Sequence, residues 1–188
     1  MRADVKRSAV AVGVLLLVGL SGCAGPDTAA VPTEAGGAFV CDGVPSRGAE
    51  LILGGAVVET RHHGQWGLDA RGFQCAVTRE SGGSGLITIE EWDVGTRLGT
   101  DSEGALELIA GQAGATPIDA QVDGAGYVSG AKDEGSATWV CGARMLAVDL
   151  QSVTTAGRDQ RADAEALLVS MLPWACGDAE APPRTVED

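Results

Sequence analysis

The sequence predicts an α+β fold: an antiparallel sheet with helices packed on one face, stapled by two disulfides. Three observations carry that expectation. Residues 72–94 alternate apolar with polar or small side chains on both sides of a Gly/Ser-rich turn, which is the period of a strand hairpin. Residues 159–175 carry an apolar stripe at three- and four-residue spacing, which is the period of a helix lying on a core. Cysteines at 41, 75, 141 and 176 are spread across the same region. Strand pairs interleaved with helices point to one sheet layer covered by helices.

The chain has 188 residues and opens with a leader. Arg2, Lys6 and Arg7 form a positive segment, and Ala9 to Leu20 is a run of twelve residues without a polar side chain. Twelve residues rise about 18 Å as a helix, short of a hydrocarbon core of about 30 Å. The run therefore fits a signal peptide over residues 1–22 better than a membrane span. It ends in Leu20-Ser21-Gly22-Cys23, which resembles the lipobox of bacterial lipoproteins: Leu, two small residues, then Cys. The resemblance implies cleavage before Cys23 and a diacylglyceryl group on its thiol. Two acyl chains are the minimum for stable membrane attachment. Residues 23–37 are small, polar and rich in Gly and Pro, and read as a lipidated flexible tether.

A single globular domain is expected over residues 38–178. Pro45 to Leu53 reads as a short helix, with Pro45 near its first turn and Gly54-Gly55 as its stop. Ala56 to Glu59 reads as a strand. Arg61 to Arg71 reads as a loop carrying His62, His63 and Trp66. Phe73, Cys75 and Val77 begin the hairpin, Ser81 to Gly85 turn it, and Leu86 to Val94 return. Ser102 to Ala110 fits a helix with acids in its first turn. Residues 115–130 are Gly-rich and point to no regular element. Thr138 to Cys141 and Met145 to Leu150 read as a second hairpin around Gly142. The last helix, Asp159 to Ala175, places Ala164, Leu167, Leu168, Met171, Leu172 and Ala175 on one stripe. Pro173 weakens its last turn and Gly177 ends it. Residues 179–188 are acidic, contain Pro182-Pro183, and read as a disordered tail.

Removing the proposed anchor from five cysteines leaves four. An even number in an exported chain implies two disulfides, with three pairings open. Cys41–Cys75 and Cys141–Cys176 are favoured because each closes a loop of about 35 residues and ties a helix-bearing segment to a strand; in the loop-entropy account each bridge stabilises by roughly 3–4 kcal/mol. The absence of a Cys-x-x-Cys pair argues against a zinc site.

The lipobox, the tether, Cys41-Asp42 before a short helix and Cys75 on a strand together resemble small exported lipoproteins of high-GC actinobacteria. The late Trp139-Val140-Cys141 strand and the helix ending Trp174-Ala175-Cys176-Gly177 fit the same picture, as do 28 Gly and 11 Arg against two Lys. The resemblance implies a place, the extracytoplasmic face of the cell membrane, and no reaction.

Charge excludes one class of partner. The whole chain carries 13 basic and 26 acidic side chains, or −13. Without Arg2, Lys6, Arg7 and Asp4 it carries 10 and 25, or −15. Phosphate backbones require a basic face, so nucleic acid is not expected. Anionic lipid should likewise repel the domain.

Arg61-His62-His63-Gly64-Gln65-Trp66 is the best candidate for binding, with His62, His63 and Trp66 as its chemistry-bearing residues. Adjacent histidines on a strand point opposite ways, and no third metal ligand is spaced beside them. Trp66 is the tryptophan expected to be exposed. Glu90 and Glu91 face opposite sides of a strand and do not form a carboxylate pair. Glu91 and Asp93 share a side and could meet a cation. Ser129-Gly130-Ala131-Lys132 matches Ser-x-x-Lys, but Lys132 is the one lysine after the leader, so the Lys-Thr-Gly strand of that chemistry cannot exist. There is no Gly-x-Ser-x-Gly turn and no phosphate-loop pattern. Asp119 and Asp123 lack the oxygen spacing of a calcium loop.

No cofactor and no metal are therefore expected, and no catalytic residues. The expected function is a membrane-anchored, non-enzymatic binding module for an envelope protein or small ligand. A carrier of lipid or another small hydrophobe, with a cavity between helix and sheet, is the alternative. A His-dependent hydrolase or metal-binding protein stands behind it.

Overall fold

The computed structural model describes residues 28–67, 72–131 and 134–185. Cys23 and the expected signal peptide lie outside the described residues. Nine strands and four helices are described: β1 (Phe39–Cys41), β2 (Val44–Pro45), α1 (Ser46–Leu53), β3 (Val57–His63), β4 (Phe73–Arg79), β5 (Leu86–Asp93), α2 (Val94–Leu98), α3 (Ser102–Ala110), β6 (Thr116–Pro117), β7 (Ala125–Ser129), β8 (Ser136–Cys141), β9 (Arg144–Gln151) and α4 (Gln160–Ala175). Strands β3 to β9 form one antiparallel sheet of seven in the order β3-β4-β5-β9-β8-β7-β6, and β1 pairs with β2 beside it. The α+β class and the antiparallel sheet match the sequence expectation. So do both favoured disulfides, Cys41–Cys75 and Cys141–Cys176.

Alternation along the strands builds the core. Phe73, Cys75 and Val77 of β4 face the same way as Ile87 and Ile89 of β5 and as Leu146 and Val148 of β9, and all are buried. The stripe expected on α4 lies on this layer: Ala164, Leu167, Leu168, Met171 and Leu172 have no exposure, and Ala175 almost none. Full burial of a Leu or Met stabilises by about 1.5–3 kcal/mol, so the four large side chains contribute roughly 6–12 kcal/mol before ordering entropy is subtracted. Asp159 caps the helix, accepting from the amides of Arg161 and Ala162 at 3.0 and 3.3 Å. Helix α1 lies next to α4 on the same face, and Gly54, left-handed at φ 74°, ends it.

A smaller apolar cluster of Val94, Ala105, Ile109, Val140 and Met145 lies on the opposite face, because Val140 and Met145 alternate with Trp139 and Leu146 of the main core. It seats α3, whose bounds match the expected helix. Helix α2 departs from the expectation. Asp93 stops β5 by capping it, accepting from the Thr96 amide at 2.8 Å, so Val94 begins a helix instead of ending a strand. The Gly-rich stretch 115–130 holds two short strands, β6 and β7. At Gly126 an added Cβ would meet the Thr138 carbonyl oxygen at 2.3 Å, so this side of β7 lies hard against β8.

Both domain edges extend beyond the expected boundaries. Residues 28–31, placed by the sequence in a tether, are seated on the domain: Val31 is buried in the main core, and the Ala29 carbonyl accepts from Arg158 Nη1 at 3.0 Å. Residues 182–185, placed in a disordered tail, lie along β1 instead. The Gly43 amide donates to the Pro182 carbonyl at 2.7 Å, the Thr185 amide to the Phe39 carbonyl at 3.0 Å, and the Phe39 amide returns a bond to Thr185 Oγ1 at 3.1 Å. Composition marks both segments as loose because it does not register a few anchoring contacts, one segment to the core and the start of α4, the other along β1.

Candidate functional site

The histidine segment is strand, not loop, because β3 continues through His63 against Gln74 of β4. A register shift between Glu59 and Arg61 bends the strand. His62 pairs in register with Cys75, and Cys75 is bridged to Cys41, so the bridge brings Asp42 beside His62. His62 Nε2 lies 3.9 Å from Asp42 Oδ2, and its Nδ1 lies 4.0 Å from Glu59 Oε2. The tail closes the group: the Arg184 amide donates to Asp42 Oδ1 at 2.7 Å, and Arg184 Nη1 reaches Glu59 Oε2 at 3.3 Å. Asp42, Glu59 and Arg184 are not singled out by any sequence pattern.

The two carboxylates stand on opposite ring nitrogens of His62, so no single ion can be shared by all three. Among the described residues no group of three His, Cys, Asp or Glu could hold a metal ion. The arrangement suits bracing instead. The ring lies between the β1–β2 turn and β3, and the tail spans both. His63, the neighbour, is exposed on the opposite side of the strand.

Trp66 does not have the expected exposure. It is 8% exposed, its ring stacks on Phe73 at 4.0 Å, and its Nε1 donates to the Asp42 carbonyl at 2.8 Å. Phe73 in turn meets His62 edge to face at 5.5 Å. Gly43 completes this corner. Its φ of 69° is left-handed, and an added Cβ would lie 2.5 Å from Trp174 Nε1 and 2.9 Å from Trp66 Nε1. Only glycine lets the turn pass between the two indoles.

The carboxylates of β5 separate as alternation requires. Glu90 accepts from Gln74 Nε2 and from Trp92 Nε1 at 3.1 Å, with Arg97 Nη2 at 3.7 Å. Arg97 also lies over the Trp92 ring at 5.1 Å. Glu91 faces the other way and is 3% exposed. Its Oε2 accepts from the Gly67 amide at 2.7 Å, and its Oε1 lies 3.7 Å from Arg144 Nη1 with no hydrogen-bond partner among the described residues. Glu91 and Asp93 do not converge on a cation, because Asp93 is taken up by the α2 cap. Ser129 Oγ is bonded to Gln112 Oε1 at 2.9 Å, and Lys132 lies outside the described residues. Asp119 and Asp123 are exposed.

Burial pushes the Glu91 carboxyl above its ordinary range; the Gly67 amide and the Arg144 charge pull it back less strongly. The folded state thus holds this proton to higher pH than the unfolded chain does. The charged form is penalised at neutral pH, and the penalty is relieved as pH falls toward the unfolded value of about 4.3. The stability difference between the protein and its Glu91→Gln variant should therefore shift in favour of the protein from pH 7 downward. Urea unfolding of both at several pH values measures it, and a difference independent of pH would refute the assignment.

An open cleft of about 620 Å³ is lined by Ser152–Gln160 at the start of α4. Its two charged side chains are engaged in holding the helix: Arg158 pairs with Asp163 at 2.6 Å, and Asp159 is the cap. Among the described residues no helix is long and apolar enough to cross a membrane. Comparison with protein-family models, with curated proteins and with solved structures finds no match. Fold and site define a disulfide-stapled α+β domain whose histidine corner ties a terminal strap to an edge strand.

Proposed function

We propose that this chain is a lipid-anchored protein of the extracytoplasmic membrane face, and that its domain is a non-enzymatic binding module for an envelope partner. The observation that supports the binding reading is the use made of the candidate residues. His62 and Trp66 are committed to the corner that fixes the strap, while the edge they brace, β3, leaves Val58, Arg61 and His63 exposed. A braced, exposed edge is a surface for a partner. Its bend and charges oppose simple strand addition, so side chains rather than backbone would make the contact.

The anchor rests on Leu20-Ser21-Gly22-Cys23 after the apolar run, and two disulfides suit an oxidising compartment. Cys23→Ser should abolish acylation and release the protein from membranes or leave it unprocessed. Unchanged membrane retention of that variant overturns the anchor. For the module, photocrosslinking residues at Arg61 and His63 should each give the same discrete adduct in the native envelope, and one at Leu108, on α3, should not. Equal crosslinking from all three positions, or none from β3, overturns the edge as the contact.

A further inference from the structure

Residues 28–31 are part of the folded body, which changes the geometry of attachment. Thr28 lies against Gly157, Ala29 is bonded to Arg158, and Val31 is in the core. Between Cys23 and Thr28 the chain has five residue steps. Fully extended, they span at most about 18 Å. A domain of about 150 residues has a diameter of about 38 Å. An anchor of that reach cannot leave the domain free to turn over.

The end of the domain at this entry point is defined by strand pairing. Val57 pairs with Arg79, Leu86 with Gln151 and Ser129 with Ser136, which gathers the loops 54–56, 80–85 and 152–157 and the β7–β8 connection at one end of the sheet. Thr155 Oγ1 donates to the Ile52 carbonyl at 2.7 Å and ties two of them together. The loops are Gly54-Gly55-Ala56, Glu80-Ser81-Gly82-Gly83-Ser84-Gly85 and Ser152-Val153-Thr154-Thr155-Ala156-Gly157; they hold one ionisable side chain, Glu80, and Glu134 lies in the neighbouring β7–β8 connection. Helix α4 starts here and carries the chain away for 16 residues, about 24 Å. The acidic residues Asp178 and Glu180 and the His62 corner are thus at or toward the far end.

On the reading that Cys23 is acylated, we infer that the domain stands on the membrane with this end of the sheet and its loops 54–56, 80–85 and 152–157 toward the lipid headgroups. The acidic C-terminal end and the open end of β3 then face outward. Far-end-down is excluded, because the entry point would sit about 38 Å above the surface against a reach of about 18 Å.

The test uses the full lipidated chain in phosphatidylcholine vesicles with a spin label on the headgroup. A fluorophore is placed through Ser84→Cys or Asp178→Cys, both exposed positions. Quenching at Ser84→Cys should exceed that at Asp178→Cys several-fold. Inserting a Gly/Ser linker of about 30 residues after Gly25, with an end-to-end distance of about 30 Å, should erase the difference. Sedimentation with the vesicles separates the two ways of failing. Protein that pellets but shows equal quenching overturns the orientation alone. Protein that stays in the supernatant overturns the anchor and the orientation with it.

Discussion

Replacing Cys41 and Cys75 together by Ala is expected to lower the free energy of unfolding by roughly 4 kcal/mol, and replacing Cys141 and Cys176 by as much. The bridges span sequence separations of 34 and 35, and their loops do not overlap. In the chain-entropy account the two effects then add, so full reduction removes roughly 8 kcal/mol from a stability that is about 5–15 kcal/mol for a domain. The reduced chain should be marginal or unfolded at room temperature. Urea titrations of the oxidised protein, the two double variants and the reduced protein measure this directly. The first variant should also speed hydrogen exchange at the Arg184 and Thr185 amides, since both donate to residues of the segment that Cys41 holds. An unchanged midpoint on reduction would show that neither bridge constrains the unfolded chain.

Much of the architecture is legible in the sequence because it follows from periodicity. The 72–94 hairpin and the α4 stripe repeat a pattern over seven residues or more, the Ser102–Ala110 helix is marked by acids in its first turn and the second hairpin by Gly142 between two apolar runs, and each forms. The pairing of cysteines is legible for a related reason: strands and helices are placed well enough to see which ends each bridge could tie. Short elements are not legible. β1, β2 and β6 have two or three residues and exist because a neighbour supplies hydrogen bonds. The histidine corner shows the limit most clearly. Asp42 and His62 are twenty residues apart with no motif between them. They meet because a disulfide and a strand register act together, through Cys75 opposite His62. With both in hand the contact follows, and with either missing it does not. The burial of Trp66 is hidden for the same reason. A tryptophan beside two histidines in a polar stretch looks exposed until Phe73, which stacks beneath it, is placed on the adjoining strand.

Phe73 is the residue on which this corner turns, and Phe73→Ala is expected to cost about 3–5 kcal/mol, the range for deleting a fully buried aromatic side chain. The size of the loss has two sources. The ring fills the first core position of β4, where it faces Glu91 across the strand pair, and an empty volume there has few groups free to collapse into it. It is also the shared partner of Trp66 and His62, so its removal takes away one stacked and one edge-on contact together. Trp66 would lose its stacking partner while keeping its bond to the Asp42 carbonyl, and its fluorescence should shift to longer wavelength as the indole gains water. Phe73→Leu fills most of the volume without an aromatic face. It should recover most of the stability and little of the Trp66 environment. If both variants lose stability equally and leave the fluorescence unchanged, the corner is held by the disulfide and the strap, and the ring is ordinary core filling.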